Sequence, residues 1–544
     1  MKQAEEKNNK SIKIEETNAN KWKGWEKIPA YGLCIFLIIS MGFVAVASII
    51  ETSVEVKDKS EKIIYVYDNI FINILFLIVV IVIAYFLYTK FYDQLKKINE
   101  KYILIAIFVY TLVIGLVWVL NVQSIPATDS GTVFKAAVGA AKDNFDFIKS
   151  NNNSYLENLN YFKVVPFQLG FVFISEIIYR IFGTGSAIPL EVINVVALAI
   201  MYVVLLKMSK LLFESKGVQF ILAIFLAMTI QPILLCGFAY GNIIGFSAAI
   251  VACYFTMLFL NKKGKISIVY LVIAVVCVTL SILAKYNNMI CVIAIVIAVA
   301  LYVIKNKQWV KSVSILLILI IPILSQNLVI SSYESRANID FGEGLGQMSY
   351  LDVGLGKSQK APGWYSRKHY NIYRKTNGNR EESDKLAKKE ISERLTYFKE
   401  HPGYTVGFFT GKIVSQWNEP EYDSIWVTRV KKHYNGEVKQ GSMLYSIYWG
   451  KLGDYLHIFC DKTQMLMFVL FVVAMIAMMK RRQKIETSML MLILVGAFLY
   501  HLLFEGKSQY IATYYILISF FASYGMFRLL NYIRGKHETI RRKN

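Results

Sequence analysis

Apolar runs of about 20 residues recur along this chain, and each is long enough for a helix to cross the hydrocarbon core of a bilayer. They fall at 30–50, 69–89, 102–120, 165–182, 188–206, 218–235, 239–260, 266–283, 286–304, 311–332, 464–479, 485–503 and 509–528. Within lipid, backbone N–H and C=O groups must be paired inside the segment, so such runs are helices. The alternating pattern of a membrane barrel is absent. The expected fold is therefore an all-α polytopic membrane protein. With 55% hydrophobic and only 18% charged residues, the composition agrees.

The net charge of +22 would suggest nucleic acid in a soluble protein, but here the cations cluster at the ends of apolar runs. That is the positive-inside pattern, reinforced by attraction to anionic lipid. No nucleic-acid-binding module accompanies the charge, and the expected surroundings are the lipid bilayer of the cell membrane. Clusters follow the runs ending at 89, 206, 260, 304 and 479, and both ends of the sequence are basic. If all runs cross, the clusters after 206, 260 and 304 fall on the outside. If 165–182 does not cross, they all move inside together. That segment opens near Pro166, carries Gln168 and Glu176 and ends at Arg180, so it reads as a juxtamembrane helix. About twelve spans result, with both termini cytoplasmic.

The expected organisation is a disordered cytoplasmic tail at 1–29 and two helices at 30–101 that precede the main bundle. A transmembrane core follows at 102–332 with its first outer loop at 121–164. An extracytoplasmic, helix-containing region spans 333–463, then come C-terminal transmembrane helices at 464–528 and a basic tail at 529–544. The six cysteines form no CxxC pair and the six histidines no HExxH spacing, so the motifs predict neither a disulfide framework nor a metal site. A divalent metal is left open as a cofactor.

On this threading, ionisable residues gather at outer turns. They are Asp129 in PATDSGTVFKAA, Lys285 in ILAKYNN, and Glu505, Lys507, Gln509 and Tyr510 in YHLLFEGKSQY; Tyr240 lies near the outer turn QPILLCGFAYGN. Each also has a plain structural reading. Thr128 or Asp129 fits a helix N-cap, Lys285 fits a snorkelling cation, and Glu505 with Lys507 fits an exposed pair of little energetic weight. Against that, ionisable residues near a membrane are candidates for function, and separate turns converge on one side. An outward carboxylate can take a proton from a hydroxyl nucleophile, and a lysine can offset charge growing on a phosphate leaving group. Sugar transfer from a lipid-linked phosphosugar needs those two parts and no nucleotide fold, and neither a P-loop nor a dinucleotide fingerprint is present.

The order of these features resembles the C-type glycosyltransferase superfamily, particularly bacterial relatives of protein O-mannosyltransferases and of the aminoarabinose transferase acting on lipid A. The resemblance runs from about 102 to 528. It rests on the acid in the first outer loop, the juxtamembrane segment with its early proline, the Gln416-Trp417-Asn418-Glu419-Pro420 stretch, the His501–Tyr510 stretch and Pro362-Gly363-Trp364-Tyr365. Many members carry Asp-Glu in the first loop, whereas this chain has Asp129-Ser130, which leaves one acid there. The resemblance implies a helical bundle of that type with juxtamembrane helices and a small extracytoplasmic domain. It implies inverting transfer from a polyprenyl-phosphate sugar to an extracytoplasmic polymer, glycolipid or protein. By motif position Asp129 would be the base, and Lys285 and Lys507 would face the donor phosphate. Glu505, Gln509, Tyr510 and Tyr240 would shape the sugar site, and Trp417 and Trp364 would stack on saccharide or serve as ordinary packing. The competing expectations are a polysaccharide polymerase or ligase and a transporter of lipid-linked glycan.

Overall fold

The computed structural model describes residues 27–57, 60–150, 160–429, 437–480 and 484–541. The stretches 1–26 of the expected N-terminal tail and 542–544 of the C-terminal one lie outside the described residues. Helices dominate, and the two strands described form a single antiparallel hairpin. Eleven helices among the described residues are long and apolar enough to cross a membrane. They lie at Ile28–Ile50, Ile70–Leu95, Glu100–Val122, Ile188–Phe213, Asn242–Asn261, Lys265–Ala284, Tyr286–Asn306, Trp309–Ala337, Lys451–Met479, Ile485–Leu503 and Ser508–Lys536.

The difference from about twelve lies in the run 218–235. It forms the 13-residue helix Lys216–Met228 and a separate short helix, Gln231–Leu235. The first would rise about 20 Å, less than a hydrocarbon core of about 30 Å. Pro232 opens the second helix, and Thr229 sits at the break, its hydroxyl bonded to Phe225 O at 2.8 Å and paired with Ser519 at 3.0 Å. The run 165–182 becomes a 3-10 turn, Pro166–Gln168, and the 14-residue helix Leu169–Phe182. Glu176 anchors that helix. Its buried carboxylate accepts from Arg336 at 2.5 Å, Tyr333 at 2.5 Å and Arg180 at 3.0 Å.

The basic run ends meet at one end of the bundle. Lys210 and Gln219 both bond Glu100, Lys484 reaches Leu211 O and Glu214, and Lys311 caps Leu260 O at 2.6 Å. The larger polar segments occupy the opposite end. There the strands Glu51–Glu55 and Ile63–Tyr67 pair between the first two helices, with Glu51 opposite Tyr67. The hairpin docks on distant chain: Asn418 Nδ2 donates to Glu51 O at 2.6 Å, and Ile63 N donates to Lys360 O at 3.0 Å. The helices Gln347–Leu355, Lys368–Lys375, Arg380–Glu400 and Pro402–Trp417 form the late polar region. Lys451–Met479 begins earlier than the apolar run at 464–479. Its charged first turns are matched by neighbours: Asp454 pairs with Lys57 at 2.6 Å, His457 with Glu421 at 3.2 Å, and Lys462 donates to Asn73 at 2.6 Å.

Close helix crossing brings the polar turns together. A Cβ on Gly241 would stand 1.9 Å from the carbonyl oxygen of Ala284, so only glycine lets Asn242–Asn261 start against the end of Lys265–Ala284. Gly241→Ala is expected to lower stability by about 1–3 kcal/mol through overpacking against backbone. A thermal midpoint of the purified protein equal to wild type would refute that crossing.

Candidate functional site

Asp129 lies in the first turn of the helix Thr128–Ala141. It is not the cap. Ala127 is the cap residue, and Ser130 closes the turn, donating from Oγ to Ala127 O at 2.7 Å and accepting from Ala127 N at 3.2 Å. The Asp129 carboxylate is thus left unused by its own helix, whose dipole favours a negative charge at that end. The residue is exposed, with Lys285, Lys507, Tyr161 and Glu61 near enough to act on its charge. Crowding by protein pushes its pKa up, against the pull of Lys285, Lys507 and a hydrogen bond from Tyr161.

Lys285 follows the last turn of Lys265–Ala284, in extended backbone with φ −156°. Its ammonium lies 4.4 Å from the centre of the Tyr240 ring and 5.6 Å from that of Tyr510. Gln168 donates to the Tyr240 hydroxyl, and Phe171 packs edge-on against the same ring. Burial pulls the Lys285 pKa down to about 8, with Asp129 opposing. Among the described residues no carboxylate lies within ion-pair distance of it, so its charge is held by ring faces.

The turn before the last helix supplies the rest. Glu505 accepts from the Tyr510 hydroxyl at 3.1 Å, and burial raises its pKa to about 7. Gln509 is buried, and its Nε2 has no partner among the described residues. Lys507 is placed differently from Lys285. Its ammonium pairs with Glu61 at 2.7 Å and Asp423 at 3.1 Å and lies 4.7 Å from the Trp426 ring. Burial alone would lower its pKa, but the two carboxylates win and raise it.

Trp364 and Trp417 lie in the interior at 1% exposure each. Trp364 Nε1 donates to Ser415 Oγ at 3.0 Å, and Trp417 packs on Phe498 with ring centres 5.8 Å apart. Neither presents a free face for stacking on saccharide, and both serve as packing.

The fold adds residues to which the sequence assigned no part in the site. Glu61 reaches Lys507 and Lys360 from the hairpin. Asp423 follows the WNEP stretch in a turn where Tyr422 and Asp423 both have positive φ, 50° and 54°. Glu419 fastens that turn by accepting from Glu421 N at 2.9 Å and Asp423 N at 2.8 Å. Burial and the neighbouring Asp423 raise its pKa to about 8. Lys412, fully buried, donates to Gly354 O at 2.5 Å and Phe504 O at 2.7 Å, which clamps the backbone just before Glu505. Burial brings its pKa down to about 7. Tyr350, Tyr365 and Tyr370 come from the late polar region and feel the charges of both Asp129 and Glu505. Among the described residues no group of three or more His, Cys, Asp and Glu is placed to hold a metal ion.

Spanning helices with a cluster of ionisable side chains at one end define a polytopic helical integral membrane protein. Residues 26–526 match the family described as conserved hypothetical integral membrane protein, and the chain belongs to that family. The match includes both N-terminal helices. No curated protein sequence matches the chain. Among solved structures it is similar to ArnT from Cupriavidus metallidurans bound to undecaprenyl phosphate, at 12% identity and TM-score 0.34, over 79% of this chain and 78% of that one.

The two lysines should respond differently to neutralisation. Lys507→Met strands Asp423, leaves Glu61 with Lys360 alone and is expected to cost about 3–5 kcal/mol, whereas Lys285→Met breaks no ion pair and should stay near wild type in thermal unfolding. Equal losses would overturn the distinction. Glu505 makes a pH signature. Its folded pKa, about 7, stands above the ordinary 4.5. The folded state therefore holds that proton more tightly, and its stabilising share is present below 4.5 and lost as pH rises through about 7. Glu505→Gln should flatten this fall in thermal midpoint; parallel profiles would refute it.

Proposed function

We propose that this protein is a membrane glycosyltransferase that moves a sugar from a polyprenyl-phosphate donor to a hydroxyl of a cell-envelope acceptor, with inversion, at the extracytoplasmic face of the cell membrane. The observation that carries this reading is the pair Asp129 and Lys285. One is a carboxylate not spent on its helix, and the other a half-buried ammonium with no carboxylate within ion-pair distance among the described residues. A half-buried cation held by ring faces suits an anionic group supplied from outside.

In the proposed step Asp129 accepts the proton of the acceptor hydroxyl as its oxygen attacks the anomeric carbon. The bond from that carbon to the phosphate oxygen breaks, and its electron pair leaves with the polyprenyl phosphate. Lys285 offsets the growing charge on that oxygen. Glu505, Gln509, Tyr510 and Tyr240 border the sugar, with Tyr510 oriented by Glu505. Lys507, neutralised by Glu61 and Asp423, holds the turn that carries Glu505 and contributes to the field at Asp129. A lipid-borne donor reaches this site from within the bilayer, at the polar end of the helices. The orientation rests on the basic run ends collecting at the opposite end.

The test is transfer from synthetic undecaprenyl-phosphate sugars by the purified protein in nanodiscs. Asp129→Asn should lose on the order of 100-fold or more in turnover and retain binding of undecaprenyl phosphate. Lys285→Met should weaken that binding. Equal transfer by wild type and Asp129→Asn would remove the assigned base, and failure of the wild type to bind the lipid would remove the transferase reading.

A further inference from the structure

Beside Asp129 lies an aromatic group for which the proposed chemistry has no use. The His369 ring lies tilted against Tyr370 with ring centres 4.1 Å apart, 5.7 Å from Tyr350 and 5.6 Å from Tyr365. Tyr365 and Tyr370 are in edge contact at 6.1 Å. The three tyrosines are half-buried, so each keeps part of its surface open, while His369 is buried. His369 Nδ1 has no hydrogen-bond partner among the described residues. Burial pulls the imidazole pKa down to about 3, so the ring is neutral at physiological pH. All of these residues come from the late polar region, between Gln347 and Lys375, whereas Lys285, Tyr240 and Tyr510 come from the helical bundle. Asp129 lies within electrostatic reach of both sets.

Taking the chain as a transferase, we infer that Tyr350, Tyr365, Tyr370 and His369 form its acceptor subsite, and that the acceptor is a saccharide whose ring packs on these side chains and turns one hydroxyl toward Asp129. The chemistry of the cluster is that of sugar recognition. Part-open aromatic faces match the C–H face of a pyranose, and phenol hydroxyls and a neutral imidazole match its hydroxyls. The unpartnered His369 Nδ1 is one place for such a hydrogen bond. An extended Ser- or Thr-bearing peptide would instead seek an open strand edge. Tyr350, His369 and Tyr370 lie on helices, and beside Tyr365 the bridge between Trp364 and Gly506 already uses backbone. The donor thus belongs to the bundle side of Asp129 and the acceptor to the side of the late polar region.

Saturation-transfer NMR on the full chain in nanodiscs tests this without requiring turnover. The probes are maltotriose, cellotriose, chitotriose and a Ser/Thr-rich decapeptide. At least one trisaccharide is expected to receive saturation on its ring protons. Its affinity should fall about ten-fold in Tyr365→Ala and in Tyr370→Ala, the worth of one aromatic contact. It should fall less in Tyr365→Phe and Tyr370→Phe, which keep the ring and lose one hydroxyl, and persist in Asp129→Asn. Thermal midpoints identify an alanine variant that has unfolded, and the phenylalanine variants then decide. Binding lost equally in Phe and Ala variants overturns stacking. Absence of any trisaccharide signal from wild type, or signal from the peptide alone, overturns the saccharide assignment. Trisaccharide binding without transfer from undecaprenyl-phosphate sugars would unseat the transferase reading and leave the saccharide site standing.

Discussion

The ammonium of Lys507 is the point on which the polar end of this protein depends. It lies between Glu61 and Asp423, and those residues belong to the N-terminal hairpin and to the turn after the WNEP stretch. An isolated buried charge is costly, so each member of the group fixes the others. Glu61 also binds Lys360, beside the segment that carries Tyr365. One charge cluster therefore ties together the hairpin, the late polar region and the turn that bears Glu505. Asp129 and Lys285 sit at its border and use none of its ion pairs, which leaves them available to a ligand.

Burial acts differently on the three lysines of this region, and the difference follows from what each ammonium meets. Lys507 meets carboxylates and holds its proton strongly. Lys412 meets carbonyl oxygens, which stabilise a cation less than a carboxylate does, and burial lowers its pKa. Lys285 meets ring faces and is pulled down to about 8. A sequence shows three lysines of one kind. The fold makes one a structural tie, one a backbone clamp and one a candidate for anion binding.

Hydropathy made the membrane fold legible because lipid leaves the backbone few options. The demotion of 165–182 followed from Pro166, Gln168 and Glu176, and the structure shows a 14-residue helix there. Less legible was the break at Thr229, because hydropathy averages across a change of backbone direction. The hairpin at Glu51–Tyr67 was also missed, since five-residue strands between two spanning helices leave little pattern. Asp129, Lys285, Glu505 and Tyr510 were singled out as ionisable or polar residues at turns, and the fold brings them near one another. Glu61, Lys412 and His369 lie far from those motifs in sequence, and only long-range packing reveals them. Trp364 and Trp417 stood out by residue type, yet residue type does not tell an aromatic packed inside from one that faces a ligand.

The bond between Glu61 and Lys507 joins residues 446 positions apart. During synthesis the hairpin carboxylate therefore emerges well before its lysine. A nascent chain that has not yet reached Lys507 would hold Asp423 without its cation and Glu61 with Lys360 alone, so the hairpin and the late polar region can join before the turn that bears Glu505 is locked to them.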